Sequence, residues 1–127
     1  MIATYVLDTG ALISAERGEE RAARFFRLAQ IGRARLVVPV PVLAEWWRGR
    51  SDGRDAILAA TRVVASVEAA KAAGVALARL KSVDGKLTVD AFVMATAASL
   101  SAVVITGDPD DFERLGAHFP GVVVLST

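Results

Sequence analysis

Cysteine is absent from this 127-residue chain, and histidine occurs once, at His118. Without thiols there is no disulfide, no thiolate nucleophile and no cysteine metal site, and one imidazole does not build a histidine zinc site. Any bound metal must be held by oxygen, which favours hard cations such as magnesium or manganese over zinc or copper. Long apolar runs are missing too. The longest, Leu36 to Ala44, contains two prolines and falls far short of the roughly 20 residues a bilayer span requires. The opening residues, Met1-Ile2-Ala3-Thr4-Tyr5, carry neither a basic leader nor a small-residue cleavage site, so we expect a cytoplasmic protein. Charge of one sign is not in excess either. The formal net charge is +1, which does not announce a nucleic-acid binder. Twelve of the fifteen basic residues are nevertheless arginine, whose planar fork suits phosphate and carboxylate partners.

What is present is apolar. Hydrophobic residues make up 54% of the chain and the mean hydropathy is +0.43, enough to fill one sizeable core. We expect a single domain over residues 1–127. β-branched runs alternate with Ala-rich segments of helical period, the pattern of βα units and a parallel sheet. This reading places strands near 3–7, 36–39, 62–66, 103–106 and 122–125. Helices fall near 10–17, 20–31, 41–50, 68–82, 88–100 and 110–117, with a weaker one around 54–60. The last two strands are continuous apolar runs, which predicts burial on both faces. The flexible points are Gly18, the Ser51-Asp52-Gly53 corner and Val83-Asp84-Gly85-Lys86. In such α/β sheets ligands collect at the carboxyl edge, where strand order reverses.

Four carboxylates are candidates for that edge. Asp8 ends the first strand and opens Asp8-Thr9-Gly10 into a helix; alone it would be read as an N-cap. Glu45 lies about one turn into the helix after Pro39-Val40, where a carboxylate ordinarily serves the helix dipole. Its neighbours Leu43, Ala44, Trp46 and Trp47 make an idle charge uncomfortable there. Asp90 is placed in the first turn of a helix capped by Thr88; that helix is apolar nearly all round and therefore buried. Topology alone leaves open whether its beginning reaches the carboxyl edge. Asp108 follows the fourth strand in Thr106-Gly107-Asp108-Pro109-Asp110-Asp111, and cap chemistry fits it, with Pro109 at the first helical position. Asp110 and Asp111 read as first-turn acids, with an auxiliary role open to either. Convergence is what makes the set informative. Unit charges about 4 Å apart repel by about 4 kcal/mol at an effective dielectric of 20, so grouped acids require cations or basic side chains. Bound metal is the simplest answer, and an oxygen-held magnesium site can activate water and stabilise a phosphoryl transition state.

At these residues the chain resembles the PIN-domain ribonucleases, in particular the VapC-type toxins of toxin–antitoxin pairs. The matching stretches are Val6 to Ile13, Val42 to Gly49, Val89 to Ala97 and Ile105 to Phe112. The resemblance implies a three-layer α/β sandwich with a five-stranded parallel sheet, a homodimer, and hydrolysis of single-stranded RNA by metal-activated water. It also implies a cognate antitoxin, and it supplies the placement of Asp90. By analogy Asp8, Asp90 and Asp108 ligate magnesium or manganese, while Glu45 ligates or orients the water. Many relatives carry Ser where this chain has Gly10, so a hydroxyl contact is missing there, with Thr9 and Thr106 available instead.

Arg17, Arg21 and Arg24 follow helical spacing beside Phe25, Phe26 and Leu28, which fits an antitoxin groove or RNA contact, or equally a solvated arginine face over core residues. Trp46 and Trp47 offer base stacking, although core or dimer packing is expected of at least one. His118 is assigned no catalytic part. Two rival readings remain: a magnesium phosphotransferase of another α/β class, and a PIN-like binding module without catalysis. Against the first, a second Asp two residues beyond Asp8 is replaced by Gly10, a Gly-Lys-Ser/Thr phosphate loop is absent, and no lysine follows Ile105 or Leu125.

Overall fold

The computed structural model describes residues 2–127. Its sheet has five parallel strands: β1 (Ala3–Leu7), β2 (Ala34–Pro39), β3 (Arg62–Val64), β4 (Val103–Thr106) and β5 (Val124–Ser126). They lie in the order β3-β2-β1-β4-β5. The helices are α1 (Thr9–Glu16), α2 (Glu20–Gln30), α3 (Val40–Trp46), α4 (Asp52–Ala59), α5 (Val67–Leu77), α6 (Gly85–Leu100) and α7 (Glu113–Gly116), with a 3-10 turn, Pro109–Phe112, before the last.

Consecutive residues of the central strands are buried, Val6 and Leu7 on β1 and Leu36, Val37 and Val38 on β2. Adjacent strand residues face opposite ways, so both faces are covered and the architecture is the expected three-layer sandwich. Against the sheet lies α6, packed on β1, β2 and β4 with α5 behind it, while α2 covers β2 and α1 reaches β1 and β4. The Ala-rich face of α6 explains its central position: Ala91, Ala95 and Ala97 are buried beside Val93 and Met94, and small side chains let its backbone come close to the strands.

Several expected boundaries move, each for a local reason. Asp84, rather than Thr88, caps α6: its Oδ1 accepts from the amide of Leu87 at 2.8 Å, and Thr88 donates its hydroxyl to the Asp84 carbonyl instead. The helix therefore starts at Gly85, and Asp90 lies in its second turn. The preceding helix, α5, stops at Leu77 instead of running to 82; Ser82, at φ 57°, turns the chain toward the Asp84 cap. Trp47, with ψ 103°, ends α3 four residues short of expectation, and Gly49 follows at φ 110°. The Ser51-Asp52-Gly53 corner is ordered as a helix start, with Ser51 Oγ capping the Arg54 amide at 3.1 Å. The segment expected as one helix over 110–117 is a 3-10 turn followed by the single turn α7. β5 begins two residues late, and Leu125 is 42% exposed; an edge strand has a neighbour on one side only, so its apolar run is not buried on both faces. No helix among the described residues is long and apolar enough to cross a membrane.

Candidate active site

Strand order reverses between β1 and β4, which pair in register from Tyr5 with Val103 to Leu7 with Ile105. The carboxyl ends of these two strands define the switch point. The turns that leave them pack backbone against backbone: a Cβ on Gly10 would stand 3.3 Å from the Gly107 amide nitrogen and 3.4 Å from Asp8 Oδ1, and one on Gly107 would stand 3.4 Å from the Gly10 carbonyl oxygen. Glycine at position 10 therefore lets the two turns meet. A serine there would have to push Gly107 away by a few tenths of an ångström.

Above the switch point lies a cleft of about 560 Å³ whose walls include Asp8, Glu45, Asp90 and Asp108. Four separate segments thus bring their acids to one place. Asp8 leaves β1 and caps α1; Glu45 comes from α3, Asp90 from α6 and Asp108 from the turn after β4. The cleft also contains Thr9, Arg17, Lys86 and Asp111.

Asp8 is buried and doubly held. Oδ1 accepts from the Ala11 amide at 2.8 Å, which fulfils the N-cap role, and Oδ2 accepts from the Thr106 hydroxyl at 2.5 Å. Burial pushes its carboxyl above the ordinary range, with Thr106, Ala11 and Lys86 pulling against that shift. Capping and site membership are therefore compatible roles of one side chain. Asp90, also buried, is pushed up to about 7, first by burial and further by the charges of Asp8, Asp111 and Glu45, with Lys86 opposing. A carboxyl in that state half-holds its proton at neutral pH and gains from any cation brought near.

Glu45 accepts from the Thr9 hydroxyl, so Thr9 and Thr106 are both spent on carboxylates. Asp108 makes no side-chain cap bond, contrary to the cap chemistry expected of it. Its amide instead donates to Thr106 Oγ1 at 3.0 Å, and its carboxylate remains exposed on the cleft wall. The donor set is all oxygen and carries excess negative charge, which suits a hard cation. Among the described residues, no three such side chains are already drawn together to ligating distance. The chemistry of the wall fits a magnesium or manganese ion, with side-chain closure required to hold it.

Lys86 and Arg17 were not singled out at this cleft from sequence. Lys86 Nζ donates to Asp111, and its ammonium is favoured by Asp111, Asp90 and Asp108. The legible signal was its spacing, four residues before Asp90 and so on the same helical face, but it was hidden by starting α6 at 88. Arg17 lies at the end of α1, separated from Arg21 and Arg24 on α2 by Gly18 at φ 69°, so the three do not form one helical stripe. Trp46 is buried, its Nε1 donating to Glu16 at 2.5 Å, and Trp47 meets it edge-on with centroids 6.0 Å apart.

No curated protein matches the chain. A chain of the VapBC2 complex from Rickettsia felis, bound to a DNA fragment from its promoter, superposes with a TM-score of 0.73 at 16% identity, covering 98% of each chain. For DNA-bound VapBC from Salmonella typhimurium the TM-score is 0.67 at 21% identity, covering 99% of this chain and 98% of that one. The sarcin–ricin loop cleaving toxin VapC20 from Mycobacterium tuberculosis gives 0.58 at 20% identity, covering 93% and 98%. These likenesses concern the fold. The model of the PIN domain matches residues 5–117, and the chain belongs to the PIN-domain family.

Proposed function

We propose that the chain acts as one nuclease domain, a magnesium- or manganese-dependent endoribonuclease that serves as the toxin of a toxin–antitoxin pair. The observation that supports this reading is the cleft: Asp8, Glu45, Asp90 and Asp108 line one hollow at the switch point, and burial with neighbouring acids raises Asp90 to about 7. Such crowding opposes folding and is relieved by a cation. The structural neighbours include VapBC complexes and a sarcin–ricin loop cleaving toxin, which favours RNA as substrate and a cognate antitoxin as partner. On this reading the protein works as a homodimer in the cytoplasm.

On this reading Asp8, Asp90 and Asp108 would hold the ion. Thr106 fixes Asp8 by donating to Oδ2, leaving Oδ1 on the Ala11 amide, so the carboxylate presents one orientation to the cleft. Glu45, held through one oxygen by Thr9, would use the other to orient a water and take its proton as the water oxygen bonds to phosphorus. The bond from phosphorus to the leaving ribose oxygen breaks, and that oxygen takes a proton from solvent. A bound ion would supply neutralisation of phosphoryl charge and a lowered pKa for water. Arg17, on the cleft wall, supplies a guanidinium for a flanking phosphate.

The test is cleavage of a mixed single-stranded RNA pool with magnesium or manganese, with chelator, and with Asp8→Asn and Asp90→Asn. Metal-dependent cutting that both variants lose supports the assignment. Full cutting by both folded variants removes it, and no cutting by the wild-type protein favours the binding-module reading.

A further inference from the structure

Lys86 is the basic side chain of the cleft that the mechanism above does not use. It stands in the first turn of α6, four residues before Asp90, and its Nζ donates to Asp111 on the turn after Asp108. The side chain therefore spans the mouth of the cleft, from α6 to the segment that leaves β4. On its far side lies a smaller hollow of about 220 Å³, walled by Asp84, Asp110 and Arg114 and sharing Lys86, Asp90 and Asp111 with the main cleft. The Lys86–Asp111 pair is thus a partition between two openings and not a buried anchor. Its lysine side chain is 60% exposed. An exposed pair of this kind holds weakly: it places the ammonium without fixing it there. Asp8, Glu45, Asp90 and Asp108 share the cleft wall with this lysine, and among the described residues no three acids are closed on a common point.

Resting on the nuclease reading, we propose that Lys86 is the resident cation of the cleft, parked on Asp111 in the metal-free protein, displaced from the acids by the divalent ion, and then turned to the RNA phosphate at the mouth. An ammonium and a divalent ion near the same carboxylates repel each other, so Lys86 lowers metal affinity. The same repulsion turns the ammonium outward, where a phosphodiester entering the cleft offers it a negative charge. One side chain then affects two ligands in opposite directions, which a merely structural lysine would not do.

The experiment measures both affinities on Lys86→Met and Lys86→Arg, with melting curves confirming the fold. Manganese binding to metal-stripped protein is read by calorimetry. Binding of a labelled single-stranded RNA of mixed sequence is read in calcium, over times in which the RNA stays intact. For Lys86→Met we expect manganese to bind about fivefold tighter and RNA about fivefold weaker, with Lys86→Arg close to wild type in both. Manganese or RNA affinity within twofold of wild type for folded Lys86→Met overturns the proposal while leaving the nuclease reading intact. Absence of manganese binding by the wild-type protein overturns both.

Discussion

The hydroxyl of Thr106 is shared between Asp8, to which it donates at 2.5 Å, and the Asp108 amide, from which it accepts at 3.0 Å. One buried side chain at the end of β4 thereby joins the acid that leaves β1 to the turn that carries the acid after β4. Thr106→Val keeps the shape and removes the hydroxyl. Asp8 then loses its largest opposing influence against burial and becomes harder to ionise. We expect cleavage to fall about tenfold, as is usual when a partner orienting a ligand is lost, with Thr106→Ser close to wild type. Single-turnover cleavage rates across pH, for both variants, check this.

Asp90 makes the metal-free fold sensitive to pH. In the unfolded chain it ionises near 3.9, and in the fold at about 7. Between those values the native state keeps a proton that the unfolded state has released, so stability falls as pH rises through this window and is greatest below it. Asp8 shifts in the same direction. With chelator present, the wild-type protein should melt higher at pH 5 than at pH 8, and Asp90→Asn should flatten that dependence and raise the melting temperature at pH 8 by about 5 °C. Calorimetric scans of both proteins at the two pH values decide it; equal slopes for the two would contradict the assignment.

Gly10 tests the close approach of the two turns. A Cβ at 3.3 Å from the Gly107 amide demands a small retreat of backbone, so Gly10→Ser should cost about 1 kcal/mol of stability. Cleavage should persist within a few-fold, since Thr9 already engages Glu45. Urea unfolding and RNA cleavage measured side by side separate the two effects.

Trp46 belongs to the core and not to the RNA. It is 3% exposed, and its indole donates to Glu16, so Trp46→Phe should lose about 2 kcal/mol, the worth of a hydrogen bond to a charged group. RNA affinity should stay within about twofold, whereas loss of a stacked base would weaken it well beyond that.

Much of this was legible in the residues. The strand at 103–106 and the arrival of Asp8, Glu45 and Asp108 at the carboxyl edge follow from βα alternation, whereas the placement of Asp90 there comes from the family resemblance, since topology alone leaves it open. Less legible were features decided by single hydrogen bonds. Asp84 outcompetes Thr88 for the cap of α6, because a carboxylate in the extended position before Gly85 reaches the Leu87 amide, and that one choice moves Lys86 onto the helix and into the cleft. Thr106 reads as an available hydroxyl for metal or phosphate, and its engagement with Asp8 and the Asp108 amide emerges only once β1 and β4 are paired. The exposure of Leu125 depends on β5 being an edge strand, and strand order is a tertiary fact that an apolar run does not encode.

If Asp8, Asp90 and Asp108 share a metal cluster, acids distant in sequence must close on one point in the cleft. Anomalous diffraction from crystals soaked in manganese tests it most directly. A peak among Asp8, Asp90 and Asp108 in the cleft, lost in Asp90→Asn crystals, is the predicted result. Fully occupied manganese elsewhere on the protein, with none in the cleft, would contradict it.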